Sequence, residues 1–171
     1  SPFVDIIRTK RWWIMAMQII MSAAFALLAL TLPHPSSEVI ASGGTQVSLF
    51  AVTLIIFWIT AFASATHDIA ADGYYMLALK TDEQSLFVGI RSTFYRLSSI
   101  FGQGVLVVIA GVLERKSGDI PHAWSMTLLI SAVIFAAITF WHIFRLPKAA
   151  ADAPRRNISV ADIFREFGRT F

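Results

Sequence analysis

Three residues in the middle of this chain carry chemistry that an apolar setting makes costly. Asp68 and Asp72 stand at the end of a long apolar run that begins near Val47, within Ser64-Ala-Thr-His-Asp-Ile-Ala-Ala-Asp-Gly-Tyr-Tyr75. On a helix, residues four apart share a face, so the two carboxylates lie one turn from each other, with His67 on the neighbouring stripe. An ionised aspartate near the bilayer centre costs about 2.5–3.5 kcal/mol on the insertion scale, so such a group is kept with a partner or for a task. Three readings follow. An arginine, Arg91 or Arg96, pairs with Asp68 or Asp72 and pins two helices together. Alternatively, the carboxylates form a proton- or ion-responsive site, because low dielectric favours the neutral acid. The third reading is metal binding by His67, Asp68 and Asp72, the weakest by ligand number.

A second group of polar residues follows in the next apolar run. Arg91 and Tyr95 share one face, as do Arg96, Ser99 and Gln103. Gln103 in an apolar segment calls for a polar partner or water, through a cavity or an interhelical hydrogen bond of about 0.6 kcal/mol. Ser98 with Gly102, and Gly104 with Gly111, form small-residue patches that ordinarily mean close helix packing. His34 and His122 read as solvated loop residues, and His142 as an interfacial anchor. No glycine-rich phosphate loop, nucleophile elbow or zinc motif occurs. Cysteine is absent, which removes disulfides and thiolate metal sites.

The elements that must position these residues are membrane helices. Hydrophobic residues make up 56% of the chain and charged residues 15%, against about 45–50% and 25% in soluble domains. All six prolines lie outside the four apolar runs, as long helices require. The reading is all-α and transmembrane, with spans over 12–32, 48–79, 86–113 and 124–146. The first span has no charge in 21 residues, a rise of about 31 Å, and Trp12 and Trp13 abut Lys10 and Arg11 as an interfacial anchor. The second run is longer than a bilayer, so its end, with Tyr74 and Tyr75, is expected to extend beyond it. Residues 80–85 are expected as a tight polar turn and 114–121 as a short loop.

Of fourteen Lys and Arg, twelve fall in the N-terminal, 80–96 and C-terminal segments, and only Arg115 and Lys116 fall on the other side. The positive-inside rule therefore puts residues 1–11 and 147–171 in the cytoplasm. In the latter segment Val160, Ile163, Phe164, Phe167 and Phe171 form an apolar stripe, expected as an amphipathic helix on the inner surface after an Ala-rich linker. The net charge of +3 gives no reason to expect a nucleic-acid partner. The chain starts at Ser1 and stops as a new apolar face builds, so the expectation is a piece of a longer protein.

Ser64-Ala-Thr-His-Asp-Ile-Ala-Ala-Asp72, followed by Arg91-Ser-Thr-Phe-Tyr-Arg-Leu-Ser98, resembles the muropeptide-permease (AmpG-like) branch of the major facilitator superfamily. Ser1-Pro-Phe-Val-Asp5 with Arg8, Arg11 and Trp13 is similar to that family's cytoplasmic loop between its second and third helices. Relative to the pattern, His67 stands for a glutamine, Ser98 for a glycine, and Gly73 follows Asp72. The resemblance implies helices three to six of an N-terminal bundle in a twelve-helix carrier, with no cofactor and no enzymatic activity. It implies import of a muropeptide or sugar-like amphiphile across the inner membrane, proton-coupled, by alternating access. The partners are then the lipid bilayer, the small-molecule substrate and the remaining helices. Asp68 is expected as the responsive group, with Asp72 and Arg96 as its charge network, and His67, Arg91, Gln103 and Tyr95 as further transport candidates. The rival reading is an intramembrane metal-dependent enzyme using His67, Asp68 and Asp72.

Overall fold

The computed structural model describes residue 4, residues 8–32, 44–149 and residue 152. His34, most of the 33–47 loop and the amphipathic stripe at 160–171 lie outside the described residues. Among the described residues five helices follow in order: α1 (Lys10–Thr31), α2 (Gly44–Ala78), α3 (Thr81–Ile100), α4 (Leu106–Ser117) and α5 (Ile120–Arg145). A π-helical turn, Phe101–Val105, joins α3 to α4 without a break, so these two make one span. Among the described residues, four spans are long and apolar enough to cross a membrane: Lys10–Thr31, Leu49–Ala78, Thr81–Ser117 and Ile120–Arg145. The chain is a multi-pass, all-helical membrane protein, and its exposed Leu, Ile, Val and Phe are the surface it offers to lipid.

Helix α1 is the hub, packing on both α2 and α5. Its buried stripe runs Ile14, Met17, Gln18, Met21, Ala24, Leu28, at the three-and-four spacing of one helical face. The facing seam of α2 recurs every seven residues. Ile56, Ala63 and Ala70 form one row and Thr53, Thr60, His67 and Tyr74 the other. That repeat keeps one face toward a partner helix, and the alanines permit close approach. Buried hydroxyls on these helices are satisfied locally. Thr53, Thr66, Thr127, Ser131 and Thr139 each donate to the carbonyl four residues earlier, at 2.7–3.0 Å. They therefore pack as small residues rather than as polar ones. Ser22 Oγ instead crosses to the Ala132 carbonyl at 3.0 Å, and Phe25 stacks obliquely on Phe135, tying α1 to α5.

The start of α1 and the end of α5 are clasped together. Asp152 accepts from the Lys10 and Arg11 amides at 2.7 and 3.0 Å, placing a carboxylate on the positive end of α1. Arg11 in return donates to the Leu146 and Ile143 carbonyls, both at 3.0 Å, which are orphaned acceptors at the end of α5. Tyr74 donates its hydroxyl to the Pro147 carbonyl. Helix α2 continues through Tyr74 and Tyr75 to Ala78, as the sequence leads one to expect. It is packed into the bundle, and a Cβ at Gly73 would fall 2.6 Å from Lys10 Cε, so the glycine leaves room for the lysine stem.

Both turns are shorter than the polar stretches 80–85 and 114–121 suggest. Residues 80–85 are not a loop: α3 begins at Thr81, with Glu83 accepting from the Lys80 amide at 3.0 Å. Asp82 and Glu83 in the first turn favour the positive helix end, so charges that mimic a loop are in fact a helix start. Gln84 reinforces the join by donating to the Met76 and Leu79 carbonyls. Between α4 and α5 only Gly118 and Asp119 remain outside helix. Gly118 takes φ 69°, which favours glycine, and Asp119 accepts from the His122 amide with Pro121 in the first turn.

Helix α3 stands apart. None of its residues is buried, and it packs on neither α1 nor α2 as a helix, reaching the bundle through the α4–α5 contact. Between it and α5 lies a cavity of about 650 Å³ lined by aromatics including Phe94, Phe101, Trp124 and Phe135.

Candidate functional site

The acidic face divides in two. Asp72 meets Arg91 of α3 at 2.5 Å, each side chain about half exposed, in a cleft lined also by Ala71, Tyr75 and Phe87. This ion pair joins two helices that otherwise scarcely touch. Asp68 is turned away, 69% exposed, with its Oδ1 3.7 Å from His67 Nδ1. The heptad seam explains the split. His67 lies in the buried row, and Asp68 and Asp72 fall outside it, so only Asp72 faces the returning helix.

Arg96 does not join this network: it is exposed and makes no ion pair among the described residues. Arg91, one turn nearer the α2–α3 join, takes that place because a short join brings the first turns of α3 closest to Asp72. Tyr95 is 75% exposed. Gln103 sits in the π-helical turn, exposed and without a side-chain hydrogen bond among the described residues. A Cβ added at Gly102, Gly104 or Gly111 would meet nothing within 4 Å, so the small-residue patches are not packing faces within the described residues. Ser98 and Gly102 instead line the cavity beside α5. The two glycines of the π-helical turn have the backbone freedom that such a turn uses.

The constellation that sequence reasoning missed is centred on Gln18. This side chain is 4% exposed in the middle of α1, where its own helix offers no free partner. Its Nε2 lies 3.2 Å from His67 Nε2 on α2 and 2.8 Å from His142 Nδ1 on α5, and its Oε1 lies 3.0 Å from the same His142 nitrogen. Three helices therefore meet at one amide. His142, expected as an interfacial anchor, turns inward, and Trp141 beside it carries the Arg145 guanidinium over its ring at 5.1 Å. A buried amide must be satisfied, which is why it draws two imidazoles from other helices.

Among the described residues no group of three or more His, Asp or Glu side chains is placed to hold a metal ion. His67, Asp68 and Asp72 diverge, one toward Gln18, one outward and one toward Arg91. The arrangement provides an interhelical ion pair and, around the buried Gln18 amide, a hydrogen-bonded pair of imidazoles. No protein-family model, curated protein or solved structure matches the chain.

Proposed function

We propose that this chain is part of a secondary active transporter, in the manner of the major facilitator superfamily, importing a small amphiphilic solute, muropeptide or sugar-like, across the inner membrane. Both ends of the segment face the cytoplasm, and transport is proton-coupled and proceeds by alternating access. The observation that carries this reading is the Asp72–Arg91 pair, which links α2 to a span that is otherwise unpacked against it. An ion pair between two loosely apposed helices can break and re-form as they move, which is what a gate requires. The aromatic cavity between α3 and α5 supports an amphiphilic solute, since it offers ring faces with few polar groups. In this scheme Asp68 is the responsive carboxylate, exposed enough to exchange protons and adjacent to His67. Asp72 and Arg91 form the gate.

Proton-driven uptake of labelled muropeptides and sugars by the complete protein, compared with Asp68→Asn, tests this. Uptake should fall at least tenfold at equal expression; undiminished uptake overturns the role of Asp68. The metal-dependent enzyme draws no support from the divergent placement of His67, Asp68 and Asp72.

A further inference from the structure

We propose that Gln18, His67 and His142 form a single-proton site, which takes up one proton beyond those of the two neutral imidazoles, on either ring but never on both at once. The geometry at His142 carries the argument. Its Nδ1 faces both ends of the Gln18 amide, 2.8 Å from Nε2 and 3.0 Å from Oε1. As a neutral acceptor it takes the Nε2 hydrogen; once protonated it donates to Oε1. Either state of that ring is hydrogen-bonded without movement of a helix, which is uncommon for a buried polar group.

The amide then dictates what His67 can do. While Oε1 accepts from His142, Nε2 donates to His67 Nε2, which must carry a lone pair, leaving the His67 Nδ1 hydrogen toward Asp68. For His67 Nε2 to take the proton instead, the amide must turn over and offer Oε1 to it, and His142 must then accept from Nε2. The amide turns Oε1 to one ring and Nε2 to the other, so a second proton on the ring facing Nε2 would set donor against donor and would also meet the charge of the first. The proton enters from water and returns to it, and no covalent bond is made or broken.

Few other charges bear on the cluster from its three helices. From α1 there are Lys10 and Arg11, the latter committed to the end of α5. From α2 there are Asp68 and Asp72, the latter committed to Arg91. From α5 there are His122 at the opposite end and Arg145 over Trp141. Asp68, beside His67, is therefore the nearest charge. The proposal concerns proton binding alone and stands whether or not the chain carries a solute.

The test is nitrogen-15 NMR of histidine-labelled complete protein in lipid nanodiscs, from about pH 8 to pH 5, the range over which imidazoles ordinarily charge. The expected result is that the protonated fractions of His67 and His142 sum to one at the acid end, both rings changing at a common midpoint. In Gln18→Met, which keeps length and volume without donor or acceptor, the common midpoint should split. His142→Asn should leave the sum at one, now on His67 alone. Fractions summing to two, two unrelated midpoints in the unsubstituted protein, or no titration of either ring would each overturn the proposal, and the first measurement needs no variant.

Discussion

Helices α1, α2 and α5 and the span α3–α4 are each long and apolar enough to cross a membrane, and they pack in opposite ways. The three-helix unit is held by matched stripes, by the Gln18 cluster and by the Arg11–Asp152 clasp. Span α3–α4 also has a stretch apolar enough to cross a membrane, yet in α3 no side chain is buried, and its ties to α2 are the Asp72–Arg91 ion pair and the Gln84 hydrogen bonds at the join. Hydropathy therefore says which segments enter lipid and nothing about which of them pack together. In a membrane the packing decision rests with small residues and interhelical hydrogen bonds, because lipid is as apolar as leucine. The α2 seam uses its alanines in that way. The glycines of α3–α4 meet open space instead, leaving a face for a mobile or partnered role.

The contrast can be broken by substitution. Leu28, wholly buried between α1 and its neighbours, should cost about 2–5 kcal/mol as Leu28→Ala, while the exposed Leu97→Ala should cost no more than about 0.5 kcal/mol in the same unfolding assay. A similar cost at both positions would erase the distinction. Arg11→Ala should come next, at about 1.5–3 kcal/mol, since it strands two carbonyls at the end of α5. Hydrogen exchange should then quicken around residues 146–149 with α3 unchanged. The smallest effect belongs to Asp72→Asn, at about 0–1 kcal/mol for a half-exposed pair. Its signature is movement of α3 relative to α2 by spin-label distances, restored in the exchanged pair Asp72→Arg with Arg91→Asp.

The four spans were legible because a run of apolar residues long enough to cross a bilayer has few other uses. Their ends were less so. Asp82, Glu83 and Gln84 have the composition of a loop, and only their order, acids first, marks a helix start. Asp72 is legible as a paired group because a carboxylate in an apolar run demands a partner. Gln18 gives no such signal, because an uncharged amide leaves an apolar run free of charge. His142 was read from its place near a helix end, whereas its partner is 124 residues away and leaves no local trace. The seven-residue recurrence of Thr53, Thr60, His67 and Tyr74 was the available signal that His67 faces inward while Asp68 does not.

This chain contains no cysteine, so pairs introduced into it, with any cysteine elsewhere in the complete protein replaced, report helix proximity without background. The direct measurement is oxidative cross-linking of the complete protein in membranes carrying either Ser22→Cys with Ala132→Cys, or Phe25→Cys with Leu97→Cys. The first pair spans the α1–α5 contact and should link rapidly, and the second lies across the aromatic cavity and should link slowly or not at all. Fast linking across the cavity, with none between α1 and α5, would contradict a fixed three-helix unit beside a separate span.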